Sequence, residues 1–361
     1  MTTENARRST RLNVEALEAR EVPATFGATR GLSIAEADVI PFNGQTEFIT
    51  ATGPGRAGVV RVWTQNGTLL DAFNPFGGFT GGVVVAAGDV NNDGQNELIC
   101  ATAAGTTAQV KVYEYTGGGR QTLASFTPFG PLYSGGVQIA AGNVSGDRRQ
   151  EIIVGQGTGG SMVKVYSFDT ALSQVFQIRQ FRAYAAGYGG GVSVASANID
   201  TTMNSILNPY NFNYAEIITG MSEQLPLVRI WDAQSPTVRL RASYFAFDPS
   251  VPGTQQGIDV VAGDTDGIRG AEVYVALKNT GIVRFFAGQT GAILGQIRPF
   301  PATYSRTVNM AIANNDDDFF NIYSISSLAV VAGDGPYDQV PILYDGRLGS
   351  PAGLNGSHLA P

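Results

Sequence analysis

An all-β fold assembled from repeats is predicted by three observations. Glycine supplies 46 of the 361 residues and charged side chains only 15%, against usual shares of roughly 7% and about 25%, a composition of tight turns rather than long solvated helices. An apolar triplet ending in a large residue recurs at Val60–Trp63, Val110–Tyr113, Val163–Tyr166, Val228–Trp231, Val283–Phe286 and Pro341–Tyr344, with first-residue spacings of 50, 53, 65, 55 and 58. Repeats of 20–50 residues or slightly more mean a solenoid, a propeller or an array. Two further β-branched runs precede each triplet and an aromatic-bearing segment follows it, and four strands per repeat is the blade of a β-propeller. The expected fold is therefore a six-bladed propeller of four-stranded antiparallel blades.

The elements follow in order. In the second repeat Gly82–Ala86 and Glu97–Cys100 are the first and second strands, and in the third Gly136–Ala140 and Glu151–Val154; each run is bounded by Gly and Asn/Asp clusters, the punctuation of strands. The fourth element carries an aromatic at a fixed place: Phe76, Phe129, Tyr184, Phe247 and Phe300. The sixth triplet has no such successor. Val22–Gly27 precedes Gly31–Ala35 much as Phe73–Gly77 precedes Gly81–Val85, so Phe26 is assigned to an N-terminal strand that closes the ring and removes an open edge. This divides the chain into a leader or tail (1–21), one propeller domain (22–346) and a C-terminal tail (347–361). Insertions at Thr201–Asn213 and Asn314–Ser326 carry Tyr210, Phe212, Phe319, Phe320 and Tyr323 on one face of the disc. They are either recognition loops or lids packed on a neighbouring blade.

The chemistry concentrates in one turn. In Asp89-x-Asn91-x-Asp93-Gly94-x-x-Glu97 the side chains at alternate positions converge, the Gln95 carbonyl joins them and Glu97 closes the sphere. All-oxygen ligation with three formal charges suits Ca2+, which takes six to eight oxygens. An EF-hand is excluded, because its twelfth position would be Cys100 and the flanks are strands. The rival is a solvated Asn-Asp-Gly turn. Weaker copies are Asn143, Ser145, Asp147 and Glu151 in the third repeat and Asp264, Asp266 and Glu272 in the fifth, where Ile268 occupies a ligand position. In the first repeat Asp38 survives, but Ile40 and Phe42 fill the next positions; Asn314 and Asp316–Asp318 in the sixth have lost the spacing.

Composition excludes several functions. A net charge of −7 offers no basic field for nucleic acid. No apolar run reaches the length of a transmembrane helix. Cys100 stands alone and reads as a small core hydrophobe. His358, the one histidine, lies in the tail, leaving the body without an imidazole base; no catalytic residue is assigned. Trp231-Asp232 occurs once and is not a WD40 signature. Gly155–Gly160 precedes a strand rather than a helix and reads as a turn.

The blocks at 82–94 and 151–160 resemble the FG-GAP and VCBS-type repeats of bacterial surface proteins and of the integrin α-chain propeller. The resemblance implies an extracellular, calcium-stabilised propeller used for adhesion or glycan binding. Residues 11–24, with Leu17-Glu18-x-Arg20-x-x-Pro23-Ala24, are similar to a short leader of exported proteins of budding aquatic bacteria. The function expected is that of a non-enzymatic, monomeric, cell-surface or extracellular module binding a protein or a surface glycan. Two rivals predict different signs: a lectin needs exposed aromatics beside polar groups in inter-blade grooves, and a carboxylate-dependent glycan-active enzyme needs a single acidic cluster near the axis.

Overall fold

The computed structural model describes residues 32–41, 43–65, 67–147, 149–200, 214–266, 270–312, 328–332 and 342–344. Among them every regular element is a strand, so the all-β expectation holds. Blade one is β1 (Leu32–Ala37), β2 (Glu47–Thr52), β3 (Val60–Trp63) and β4 (Leu69–Phe73). Blade two is β5 (Val83–Gly88), β6 (Glu97–Thr102), β7 (Val110–Thr116) and β8 (Gly119–Phe126). Blade three is β9 (Val137–Gly142), β10 (Glu151–Gln156), β11 (Met162–Asp169) and β12 (Gln174–Arg182). Blade four is β13 (Val192–Ala197), β14 (Glu216–Met221), β15 (Leu227–Asp232) and β16 (Arg239–Phe245). Blade five is β17 (Ile258–Gly263), β18 (Glu272–Leu277), β19 (Ile282–Ala287) and β20 (Ile293–Ile297). A three-stranded sheet follows: β21 (Val308–Ile312), β22 (Leu328–Ala332) and β23 (Ile342–Tyr344).

The blade count is thus corrected from six to five four-stranded blades, because no fourth strand pairs with β23 among the described residues. The residues assigned to ring closure, 22–27, lie outside the described set, as do both aromatic insertions, the acidic run at 314–318, Phe42 and Ile268. Within each sheet neighbouring strands pair antiparallel. First strands pack side by side around the axis, β1 on β5, β5 on β9, β9 on β13, β13 on β17, β17 on β21 and β21 on β1.

Burial explains why these residues form these strands. Second strands are buried on both faces in all five blades, which is why they read as unbroken apolar runs such as Glu-Leu-Ile-Cys-Ala-Thr instead of alternating. Third strands alternate, and fourth strands form the exposed perimeter. Cores lie between blades: Val39, Ile49 and Val62 meet Val83, Val85 and Leu98 across the first interface, and Ile218 and Ile230 meet Val260 and Val273 across the fourth. Cys100 is fully buried in the first of these cores, and burial holds its thiol well above the usual range. Trp231 is likewise a core residue, its indole N–H donating to Thr219 at 3.0 Å.

Three repeated devices fasten each blade to the next. On the Asp89 face, the N–H before each second strand donates to the carbonyl that opens the preceding blade's loop: Asn96 to Asp38, Gln150 to Asp89, Ala215 to Asn143 and Ala271 to Asn198, at 2.8–3.3 Å. On the opposite face a cation of the third strand donates to the carbonyl before the fixed aromatic: Lys111 to Pro75, Lys164 to Pro128, Arg229 to Ala183 and Arg284 to Ala246. These cations sit over the rings of Phe76, Phe129, Tyr184 and Phe247, contacts worth about 0.5–1 kcal/mol or more each. The fixed aromatics therefore lie in the inter-blade linkers, just past the fourth strands that were expected to carry them. Finally, Gly82, Gly136, Gly191 and Gly257 precede the inner strands with φ between 69° and 98°, where a Cβ would strike the preceding blade's backbone.

Candidate metal centre

Every four-stranded blade begins its second strand with a buried glutamate: Glu47, Glu97, Glu151, Glu216 and Glu272. In each, Oε2 accepts a backbone N–H from the loop that follows the first strand, from Val39, Val90, Val144, Ile199 and Thr265, at 2.9–3.1 Å. This glutamate is a staple that satisfies a buried donor in every four-stranded blade. Burial raises its carboxyl in every blade, to about 7 in Glu151, Glu216 and Glu272 and to about 9 in Glu97.

The blades differ in what faces the second carboxylate oxygen. In blade one Asn43 donates to Glu47 Oε1 at 2.6 Å. In blade three Ser145 Oγ donates to Glu151 Oε1 at 2.7 Å, Asn143 Oδ1 accepts the Gly146 N–H, and Asp147 is ion-paired with Arg149 at 2.8 Å. Of the four residues predicted there, Ser145 meets Glu151, Asn143 caps its own loop and Asp147 pairs with a cation. In blade four Arg241 donates to Glu216 Oε1 and to both oxygens of Asp200, at 3.0 and 2.8 Å. A guanidinium fills that loop.

Blade two has the acids without a cation beside them among the described residues. Asp89 accepts the N–H groups of Asp93 and Gly94 at 3.1 and 3.0 Å, Asn91 Oδ1 accepts that of Asp93 at 2.9 Å, and Asp93 Oδ1 accepts that of Gln95 at 2.9 Å. Asn91 Nδ2 bridges Asp93 and Glu97 at 3.0 Å each. Asn92 and Gly94 take the left-handed conformation, with φ of 60° and 88°, and this winds the loop around its acceptors. The Gln95 side chain turns away to the Asp38 carbonyl at 3.0 Å. Carboxylate oxygens of Asp93, Glu97 and Glu114 lie within 4.8 Å of one another. Desolvation dominates the rise of Glu97, and the charges of Asp89, Asp93 and Glu114 add to it.

Glu114 escaped the sequence reading because it sits on the third strand, 17 residues beyond Glu97. Strand register could have found it, since Leu98 pairs with Tyr113 and the next residue in each direction is Glu97 and Glu114. Asp264, Asp266 and Glu272 in blade five also bring their oxygens within 4.8 Å, with Thr265 Oγ1 donating to Glu272 at 2.9 Å. The donor set of blade two, oxygen throughout and rich in carboxylate, fits Ca2+.

The FG-GAP-like repeat model matches residues 89–154, from the first acidic loop to the second strand of blade three. The protein is a β-propeller that carries an FG-GAP-like repeat over residues 89–154. No curated protein matches the chain. Among solved structures the propeller is similar to the rhamnogalacturonan lyase YesW, with 16% identity and a TM-score of 0.46 over 87% of this chain and 57% of that one. It is also similar to Sqt1 of Saccharomyces cerevisiae, with 11% identity and a TM-score of 0.47 over 88% of this chain and 76% of that one. The FG-GAP propeller thus spans little more than half the length of the lyase, and likenesses of this size carry neither activity nor ligand across. Among the described residues no helix is long and apolar enough to cross a membrane.

Proposed function

We infer that this FG-GAP propeller is a calcium-stabilised, non-enzymatic recognition module, monomeric and working outside the cell, with its ion held by Asp89, Asn91, Asp93, Glu97 and Glu114. The observation that carries the reading is internal to the molecule. Three loops built on the same staple gather acids around it, those of blades two, four and five; in blade four Arg241 neutralises them, and in blade two no lysine or arginine reaches Glu97 among the described residues. Clustered carboxylates in a site of reduced dielectric need a counter-charge, and a divalent cation supplies it. Extracellular placement is supported by the FG-GAP-like repeat, a module typical of extracellular proteins. The non-enzymatic reading is supported by the axial channel of about 350 Å³, whose acids are Glu36 and Asp259. They stand on different strands either side of β21, and Asp259 is ion-paired with Lys278 at 3.4 Å.

The test is thermal melting with calcium and with chelator. An ion bound only by the native state stabilises by about 2.7 kcal/mol at a hundredfold excess over Kd. The midpoint should rise with calcium in the wild type, and Asp93→Ala should remove most of the rise. An unchanged wild-type midpoint in millimolar calcium would reduce the loop to a turn.

A further inference from the structure

The cavity of about 550 Å³ on the face opposite the acidic loops, at the perimeter of blade three, is lined by Lys164 and Arg182 and by no carboxylate, on a chain whose net charge is −7. We propose that this cavity binds an acidic saccharide, with Arg182 taking its carboxylate or sulfate and the rings of Tyr133 and Tyr188 bounding the sugar. The proposal rests on the recognition reading above and names its ligand class. Lys164 is committed to the Pro128 carbonyl at 2.9 Å and to the Phe129 ring. Arg182 is exposed, and its guanidinium makes no hydrogen bond or ion pair among the described residues, which leaves a planar fork of donors suited to a bidentate anion.

The walls are built in advance. Tyr133 donates to the Thr158 carbonyl at 2.6 Å and Tyr188 to the Gly191 carbonyl at 2.9 Å, so both rings are fixed. Gln156 Oε1 accepts the Met162 N–H at 3.0 Å, which orients its amide. The two loops that floor the cavity are joined by the Gly159 N–H donating to the Gly189 carbonyl at 2.7 Å and by a bridge between Gly160 and Gly190. Aromatic rings beside amides, glycine backbone and one free guanidinium suit a hydroxyl-rich ring with a charged substituent better than an apolar side chain, and the volume lies in the range of small-ligand sites. The sequence showed this place only as a glycine-rich turn.

The experiment is calorimetric titration of the full chain with D-glucuronic acid, and an array of uronate, sialyl and sulfated oligosaccharides beside their neutral counterparts. Acidic members should bind at least tenfold more tightly than neutral ones and weaken with salt. Arg182→Ala should lower affinity at least tenfold with an unchanged melting midpoint, Arg182→Lys should retain part of it, and Gln180→Ala, at a residue that lines the cavity beside Arg182, should weaken binding. Acidic saccharides binding the wild type and Arg182→Ala equally would move recognition elsewhere on the molecule, overturning this site and sparing the recognition reading. Equal binding of neutral counterparts, or no acidic saccharide bound at all, would also overturn it. The calcium melts stand or fall independently of these outcomes.

Discussion

Replacing Gly191 by alanine is expected to destabilise the propeller by about 3 kcal/mol, the sum of a left-handed backbone penalty of roughly 1–2 kcal/mol and an overpacking cost of ~1–3 kcal/mol. Gly191 has a φ of 87°, and a Cβ there would overlap the carbonyl oxygen of Gly157 in the preceding blade. The two backbones meet because the same glycine starts the inner strand while the preceding second strand is ending, a junction repeated at Gly82, Gly136 and Gly257. Gly187→Ala is the control: its Cβ would enter open space, and its melt should match the wild type. Denaturant melts of the two variants check the expectation; a silent Gly191→Ala would show that the blade junction relaxes without cost.

Removing the guanidinium from blade four should be the second large effect. Arg241→Ala leaves Glu216 buried and Asp200 beside it without their partner. Breaking a buried pair costs about 3–5 kcal/mol, but the arginine is about one-third exposed, and solvent screening brings the expected loss to about 2 kcal/mol. The loss depends on pH. Burial holds the Glu216 carboxyl at about 7 even beside Arg241, above its value in the unfolded chain. Such a group favours the folded state at low pH and withdraws that support as pH rises from the usual glutamate range through about 7. In the variant the carboxyl keeps its proton to higher pH still. At pH 5 wild type and variant both hold Glu216 neutral and should differ little; at pH 8 the difference should be full. A loss independent of pH would mean that Arg241 acts by packing and not by charge.

The architecture was legible where one force acts alone. Second strands buried on both faces announce themselves as apolar runs, and Glu97-Leu98-Ile99-Cys100 and Glu151-Ile152-Ile153-Val154 were read correctly for that reason. Fourth strands are exposed perimeter, so their residues carry little pattern, and the nearby aromatics Phe76 and Phe129 were assigned to them. Those rings belong to the linkers, held under a cation of the next blade, and a contact between repeats leaves no local periodicity. The same gap produced the wrong blade count, because an expected fourth strand for the last unit had no described counterpart.

Site residues divide similarly. Asp89, Asn91, Asp93 and Glu97 lie in one local loop, where Asn91 bridges Asp93 and Glu97 while Asp89 binds the loop's own N–H groups. Glu114 and Arg241 act across strands. Arg241 is the residue skipped by the register irregularity between β15 and β16, the position taken in other blades by Leu70, Leu123, Ile178 and Leu294. A single arginine in that apolar series was the available signal. The recurrence of Glu47 and Glu216 in blades without a predicted metal loop was another, pointing to a structural staple before any ligand role.

The central claim is that a divalent ion in blade two replaces the proton of Glu97. Burial and neighbouring acids hold that carboxyl at about 9, so without an ion it stays protonated at pH 7, and an incoming cation must displace the proton because ligands bind deprotonated. Calorimetric titration with calcium at pH 7 in buffers of different ionisation enthalpy measures this directly. The account predicts saturable binding with release of about one proton per ion, lost in Asp93→Ala. Binding with no buffer dependence, or no binding heat at millimolar calcium, would contradict it.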